Sequence, residues 1–523
     1  MAVLKEWLKC IKYEILKGSD EAEVSEVVFD SRKIVEDCVF VCIGGSRIDS
    51  HNFIKEASEK GCTTFVVEKD ISELELPEKE LNIIKVKNSR SALAYLSQAR
   101  FGYPAEKMYM IGITGTKGKT TTSNIIASVL GMNGRKIGVI GTNGCFIDGR
   151  YVETKNTTPE SYELHMRFAE MLEAGCEYVV MECSSQGFKM HRTDGIIFDC
   201  GIFLNISPDH IGPLEHKDFD EYIHCKAQLL NQSKRIFINT DDEHAEKILG
   251  IYALEHGVNI ESASDINDKL KKLSGMTETL FRGFSIKNSA DIWASDIRYT
   301  AGDEFVGSIF TVHKDDKISY SDVKMSMPGD FNVLNALAAF SAIEECGIDD
   351  EIALASLIKL NVKGRMETVY RSEHFQVIVD YAHNEVSMQS LLNTLRKYEP
   401  GRLVVVFGCG GNRSKDRRTG MGKEAAALAD FTILTADNSR FEKTEDIISD
   451  IKEAYLASGG NAERLIEIPD RRAAIHYAMS HAMDGDMIAV IGKGHEEYQE
   501  ENGVKTHFSD KEEILKAAIE LGL

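Results

Sequence analysis

The sequence lacks several things whose absence narrows its function. No apolar run among its 523 residues is long enough to span a bilayer, since a membrane helix needs about 20 apolar residues. The first ten residues, Met1-Ala-Val-Leu-Lys-Glu-Trp-Leu-Lys-Cys10, carry a charge every few positions and read as neither a signal peptide nor a membrane span. Eleven cysteines are scattered with no paired CxxC spacing, so the expectation is a reduced, cytoplasmic chain with no zinc site. Positive charge is also short. Sixty-one Lys and Arg face 83 Asp and Glu, a net charge of -22, which disfavours a nucleic-acid partner because phosphate backbones bind basic surfaces. There are no repeats and no low-complexity tract. The charge-rich stretch from Asp70 to Glu80 reads as a solvated loop.

What is present is an ordinary globular composition, 43% hydrophobic, at a length that suggests about three domains. The fold expected is α/β in three domains: a small N-terminal α/β domain (1–106), a central P-loop parallel-sheet domain (107–345) and a C-terminal Rossmann-like domain (346–523). Short apolar runs at Val27–Phe29, Cys38–Cys42 and Thr63–Val67, with helical spacing over Asn52–Gly61, define the first. From Lys107 the pattern becomes strand, loop, helix, repeated. Strands are expected at Lys136–Ile140, Tyr178–Met181, Gly201–Ile206 and Arg235–Asn239, and a helix at Tyr162–Ala174. This alternation signals a parallel sheet covered by helices. Residues 280–327 switch to strand-like alternation, and Asn332–Glu345 reads as a helix. A second α/β series follows, with strands at Phe375–Val379, Leu403–Phe407, Phe431–Thr435 and Met487–Ile491 and helices at Ser387–Lys397, Arg472–Ala482 and Lys511–Leu521.

The chain is organised around Met108–Thr114, an apolar run, followed by Gly115-Thr-Lys-Gly-Lys-Thr-Thr-Thr122. A glycine-rich turn that opens a helix, here Lys119 to about Gly131, points its N–H groups at polyphosphate oxygens. Lys119 would reach the outer phosphates and the Thr120 hydroxyl would ligate Mg²⁺. Ile113 stands where the common pattern has glycine, flanked by Gly112 and Gly115, so the loop is one residue longer than usual. Glu182 follows a neighbouring strand, where P-loop enzymes place a magnesium or water-holding carboxylate. Asn205-Ile-Ser-Pro-Asp-His210 ends another strand, and Arg192 and Lys226 are basic residues in an acidic chain. In the C-terminal series, polar clusters end four strands: Asp380–His383, Gly408–Arg413, Asp437–Arg440 and Gly492–Glu496. Ligands bind at that edge of open parallel sheets. Each cluster taken singly also reads as a plain turn, as does Asp30-Ser31-Arg32.

Together these motifs resemble the Mur ligases, the ATP-dependent peptide synthases of cell-wall precursors. The resemblance rests on Gly112–Thr120, Asn156-Thr-Thr-Pro159, Met181–Ser185, Asn205–His210, Gly329–Asn335, Gly364–Glu367, Asp380–Asn384, Phe407–Arg413, Asp437–Arg440 and Gly492–Gln499. It implies an ADP-forming ligase that adds a diamino acid to UDP-N-acetylmuramoyl-L-Ala-D-Glu through an acyl phosphate, with ATP and Mg²⁺. It implies that Gly115, Thr116, Lys117, Gly118, Lys119, Thr120 and Thr121 hold ATP, with Asn332, Asn335, Arg365 and Asp380 contacting the nucleotide. Ser31, Ser46, Arg47 and Ile48 would hold the uridine end, and Thr157, Thr158, Ser184 and Arg192 the muramoyl dipeptide. Thr120 and Glu182 would serve one metal. His210 and Lys226, the latter carbamylated, would serve a second. Lys119, Glu182, His210 and Lys226 form the implied catalytic set. Arg413, Asp437, Asn438, Ser439, Arg440, Gly492 and Glu496 would hold the amino acid, with meso-diaminopimelate favoured because Arg440 suits a carboxylate. The partners implied are small molecules alone, with a monomer expected.

The sequence departs from the family pattern at Lys117, where asparagine is usual, Gln186 (histidine), Met190 (glutamine), Glu385 (proline), Ile211–His216 and Ser439 (proline). The last removes a rigid residue next to Arg440, so lysine or another amino acid or acceptor stays open. A nucleotide-binding regulator without turnover is the third reading, which the retained metal set opposes.

Overall fold

A computed structural model describes residues 1–45, 48–208, 211–212, 215–301, 305–315, 317–360 and 362–523. The chain packs as two compact units: Met1–Trp293 with Lys314–Asp316 and Leu334–Asp350, and Ala294–His313 with Lys317–Val333 and Glu351–Leu523.

The first unit holds two main sheets besides the two-stranded pair Ala2–Val3/Glu23–Val24. The smaller has the strand order Tyr13–Lys17, Asn82–Val86, Thr64–Val67, Cys38–Val41, Glu26–Val28. All its pairs are parallel except the Tyr13–Lys17 edge. Cys38–Val41 and Thr64–Val67 are buried throughout, as expected for strands covered on both faces. The helix Ser89–Arg100 covers one face, and its first turn is capped by Asn88, whose side chain accepts the Ser91 N–H at 2.9 Å.

The larger sheet places the phosphate-binding turn at its centre. Its first eight strands, of eleven, run Arg150–Val152, Gly144–Ile147, Ile137–Gly141, Tyr178–Glu182, Tyr109–Thr114, Cys200–Phe203, Arg235–Asn239, Leu280–Ser285. From Ile137–Gly141 onward these pairs are parallel. Glu182 lies opposite Ile113 and Phe203 opposite Thr114, so three strand ends converge around the turn. The antiparallel hairpin Gly144–Ile147/Arg150–Val152 adds an edge to the parallel sheet expected; its outer strand is largely exposed and carries no apolar run. Helices Ser161–Glu173, Phe219–Asn231, Ala245–Glu255 and Ile266–Met276 bury their apolar faces in the two cores of this sheet.

The β region expected over 280–327 includes the strands Ile292–Ala301, Val306–Lys314 and Ile318–Met325. In the second unit a six-stranded sheet has the order Glu367–Arg371, Phe375–Asp380, Asp486–Ile491, Leu403–Phe407, Phe431–Leu434, Leu465–Glu467. Only the first strand is antiparallel to its neighbour. The four expected strands are therefore parallel, and their polar clusters emerge at one edge. Insertion of Asp486–Ile491 between two earlier strands creates the order reversal at which such sheets open a binding crevice. Among the described residues no helix is long and apolar enough to cross a membrane.

Candidate functional site

The turn after Tyr109–Thr114 opens the helix Lys119–Met132. Gly118 has φ of 88°, and a Cβ there would stand 2.5 Å from Asn335 Oδ1, so only glycine keeps the loop tight against that side chain. Thr122 donates to the same Asn335 oxygen at 3.4 Å. The loop is tied down from the next strand end. Asn205 accepts the Lys117 N–H through Oδ1 at 2.9 Å and donates to the Lys117 carbonyl at 3.0 Å. Lys119 Nζ donates to the carbonyls of Gly115 (2.8 Å) and Thr116 (3.3 Å). Lys226, 2% exposed, donates to that same Gly115 carbonyl at 2.8 Å and lies over the Tyr222 ring. Two cations thus converge on one loop oxygen.

Glu182 is 1% exposed, and both its carboxylate oxygens are held. Oε2 accepts the hydroxyls of Thr120 (3.1 Å) and Thr142 (3.0 Å), and Oε1 accepts the Thr142 N–H (3.1 Å). A Cβ at Gly141 would stand 2.2 Å from Oε1, so that glycine makes room for the carboxylate. The Thr120 hydroxyl beside a buried carboxylate is a pair of hard oxygen donors, the type that suits Mg²⁺. Among the described residues no cluster of three His, Cys, Asp or Glu forms a metal-binding group; His210 lies outside the described residues.

Beside this pair lie the residues expected to hold the acceptor. Thr158 donates to the Glu182 carbonyl at 2.9 Å and accepts the Ser184 N–H at 2.9 Å, while the Thr157 and Thr142 hydroxyls pair at 3.1 Å. Ser184 caps the helix Ser185–Lys189. Arg192 grips Glu160 through two nitrogens (2.9 and 2.5 Å) and donates to the Thr158 carbonyl at 3.0 Å. In the segment that departs from the family pattern, buried His216 pairs with Ser185 Oγ at 2.9 Å. Ser31 begins a short turn, Ser31–Lys33, capped by Asp30. The Arg32 guanidinium holds the Asp30 carboxyl down at about 2. Ile48 is exposed, and Ser46 and Arg47 lie outside the described residues.

The second unit gathers the other expected residues. Asp380 caps its own strand end, accepting the N–H groups of Met366 and Ala382 at 2.8 Å each. Burial pushes its carboxyl up, against the pull of Arg365, whose guanidinium lies over the Tyr381 ring. Asn332 donates to the Pro328 carbonyl at 2.7 Å. Along the sheet edge, Asn438 donates to Glu496 Oε2 at 2.8 Å and accepts from Lys493 at 3.0 Å. Burial raises the Glu496 carboxyl, while Lys493 opposes the rise. Gly492, next to Asp437, precedes Lys493. Arg440 donates to the Gly411 carbonyl at 2.7 Å, which joins the Gly408–Arg413 turn to the Asp437–Arg440 turn. Arg413 is exposed.

Ser439 does not leave that turn loose. It is buried, and the hairpin Tyr498–Glu501/Val504–His507 runs along it. Arg440 N–H donates to the Glu500 carbonyl at 3.0 Å, Asn502 N–H to the Arg440 carbonyl at 2.5 Å, and Glu500 N–H to Asn438 Oδ1 at 3.0 Å.

Two contributors escaped the sequence reading. Thr142 follows Gly141 at a strand end, and only the order of strands in the sheet brings it to Glu182. Arg471 carried no signal. It is fully buried, grips Asp510 through two nitrogens at 2.7 Å each, and donates to the Ala436 and Ile491 carbonyls at 3.1 and 2.9 Å. It therefore fixes the strand ends that carry Asp437 and Gly492.

A phosphate-cradling turn at the centre of a parallel sheet, with a strand-end carboxylate against its threonine, defines a P-loop protein. Three family descriptions cover most of the chain: Mur ligase family, catalytic domain, over residues 23–101; Mur ligase middle domain over 113–343; and Mur ligase, glutamate ligase domain, over 364–494. The chain belongs to the Mur ligase family. It is 36% identical over 514 residues, 98% of each chain, to the UDP-N-acetylmuramoyl-L-alanyl-D-glutamate–2,6-diaminopimelate ligase of Clostridium perfringens. A solved structure of a ligase with that description superposes at a TM-score of 0.71 and 28% identity, covering 100% of this chain and 99% of its own. The MurF ligase of Thermotoga maritima, solved in complex with ADP, shares the fold at 18% identity and a TM-score of 0.54, covering 95% of this chain and 98% of its own. The three-domain α/β architecture is that of these ligases.

Proposed function

We propose that this chain is an ATP-dependent, ADP-forming ligase that joins meso-2,6-diaminopimelate to UDP-N-acetylmuramoyl-L-Ala-D-Glu in peptidoglycan precursor synthesis. The observation that carries the reading is the Thr120–Glu182 pair (3.1 Å) at the mouth of the P-loop, in a chain whose full-length relative bears that activity in its name. Domains at 1–106, 107–345 and 346–523 would take the uridine end, ATP and the amine in turn; the family matches at 23–101, 113–343 and 364–494 fall inside those ranges. The net charge of -22 disfavours nucleic acid, and no described helix is long and apolar enough to cross a membrane; the chain would work as a cytoplasmic monomer on small molecules, with neither nucleic acid nor membrane as partner.

The acceptor's side-chain carboxylate attacks the γ-phosphorus of ATP; the P–O bond to ADP breaks and an acyl phosphate forms. The amine then attacks the acyl carbon, and phosphate leaves with the bonding pair as the amine loses its proton. Two anions must meet in the first step, so the site's task is to offset charge. Lys119 leaves the Gly115 and Thr116 carbonyls for the outer phosphates. Thr120 and Glu182 would hold one Mg²⁺, and His210 with a carbamylated Lys226 a second; bound metal supplies charge neutralisation. Gly115 through Thr121 and Asn335 cradle the phosphates, with Asn332, Arg365 and Asp380 on the nucleotide. Ser31, Ser46, Arg47 and Ile48 take the uridine, and Thr157, Thr158, Ser184 and Arg192 the dipeptide. In the last domain, Arg413, Asp437, Asn438, Ser439, Arg440, Gly492 and Glu496 surround the amine, with Arg440 on its distal carboxylate.

The test is ADP release with this acceptor and a panel of diamino acids. Release that needs both acceptor and diaminopimelate is expected. Turnover with lysine but not diaminopimelate overturns the amine, and no turnover with any muramoyl acceptor overturns the acceptor.

A further inference from the structure

Lys493 carries a buried charge to which the reading above gives no role. Its side chain is 0% exposed, and burying an ammonium costs several kcal/mol unless partners repay it. It lies over the Tyr498 ring, and its polar partners include three residues of the proposed amine site. Nζ donates to Asn438 Oδ1 at 3.0 Å and lies 3.5 Å from Asp437 Oδ1 and 3.6 Å from Glu496 Oε2. Asn438 Oδ1 receives a second donor, the Glu500 N–H, at 3.0 Å. An ammonium and a peptide N–H can only donate, so the Asn438 amide has one orientation. Its oxygen faces Lys493 and its nitrogen must face Glu496, to which it donates at 2.8 Å. The other Glu496 oxygen meets the Tyr381 hydroxyl at 3.4 Å, a long contact.

We propose that Lys493 is a positioning residue for the amine substrate. Its ammonium fixes the Asn438 amide, and through that amide the Glu496 carboxylate, in the orientation that receives an incoming ammonium group. In this arrangement the Asn438 side chain is oriented by Lys493 and Glu500 on its oxygen and by Glu496 on its nitrogen. Glu496 is left with one committed oxygen and one weakly held. Burial and Asp437 push the Glu496 carboxyl up, and Lys493 with Asn438 opposes that rise. The proposal rests on the amine-ligase reading above. A purely structural Lys493 would hold the two strand ends together and nothing more, and its loss would weaken every substrate alike.

The experiment is steady-state ADP release by the full-length chain with each substrate varied in turn, for Lys493→Met and the isosteric Asn438→Asp, each checked by thermal unfolding. The amine KM is expected to rise about 10- to 100-fold in both, with the KM values of ATP and acceptor within about twofold of the unaltered enzyme. An amine KM within about twofold, or three KM values rising together, overturns the proposal. If Lys493→Met does not fold, Asn438→Asp is decisive alone; if neither folds, the pair is structural and the proposal is rejected. No amine-dependent turnover in the unaltered chain removes the ligase reading itself, which separates that failure from this one.

Discussion

The two polar centres of this molecule satisfy their charges in opposite ways. Around the P-loop the lysines reach main chain: Lys119 and Lys226 share the Gly115 carbonyl at 2.8 Å each, and Asn205 binds both the N–H and the carbonyl of Lys117. Around Asp437 and Glu496, side chains rest on one another, with Lys493 among an amide and two carboxylates, and Arg471 locked to Asp510. A carbonyl left by an ammonium loses one modest hydrogen bond, whereas a buried charge left by its partner stays unpaired in a poor dielectric. The first arrangement suits exchange of partners when an anion arrives. The second suits a geometry that must not change.

Glu182→Gln tests the first centre hardest. Two of the three groups on Glu182 are hydroxyls on Oε2, and hydroxyls accept as readily as they donate, so an amide nitrogen fits there and the fold survives. The charge does not. ADP release is expected to fall about 10³-fold with the melting temperature nearly unchanged; an active variant would remove Glu182 from the chemistry. Arg471→Leu tests the second. It strands the Asp510 carboxylate and two carbonyls, and urea unfolding should register a loss of about 3–5 kcal/mol. Replacing Asp510 as well should restore part of it; a double variant weaker than the sum of the two singles would show that the pair is not the unit.

The contrast also explains what could be read in advance. The P-loop is legible because main-chain geometry forces its residues to be contiguous: Gly115 to Thr120 is one word. The four strand-end clusters are legible for a similar reason, since each apolar run ends where its polar residues begin. Arg471 is not, because its partner Asp510 lies 39 residues away and nothing local distinguishes it from a surface arginine. The hairpin after Glu496 is hidden because its second strand, Val504–His507, is exposed throughout and so has no apolar pattern. Thr142 is hidden because its contribution depends on which strand lies next to Tyr178–Glu182. Order along the sheet, unlike order along the chain, is a tertiary outcome.

His165 adds a difference that pH should expose in the P-loop region. It is fully buried in the helix Ser161–Glu173, neither ring nitrogen has a hydrogen-bond partner, and burial drives its pKa down to about 3. Its unfolded value is near 6.5. Above that both states are neutral and stability is unaffected; as pH falls from about 6.5 towards 3, only the unfolded chain takes the proton, and folding is progressively opposed. Between pH 7 and pH 5 this contributes about 2 kcal/mol of destabilisation. His165→Phe should lack that component of the slope in urea titrations at the two pH values; an unchanged slope would show that the ring is not held neutral.

Ser439→Pro is the smallest effect and the sharpest test of how the second centre is held. Where the family has proline, rigidity beside Arg440 comes from a fixed φ. Here it comes from the hairpin, through the Arg440, Asn502 and Glu500 amides at 3.0, 2.5 and 3.0 Å. If those bonds already restrict the turn, proline has little freedom left to remove, and the amine KM should change by less than about twofold, while Arg440→Ala, which deletes the guanidinium, should raise it about tenfold or more and leave the ATP KM alone. A large fall in amine KM on Ser439→Pro would mean that the turn moves despite the hairpin, and that rigidity in this centre is supplied by covalent structure more than by the side-chain and main-chain network around it.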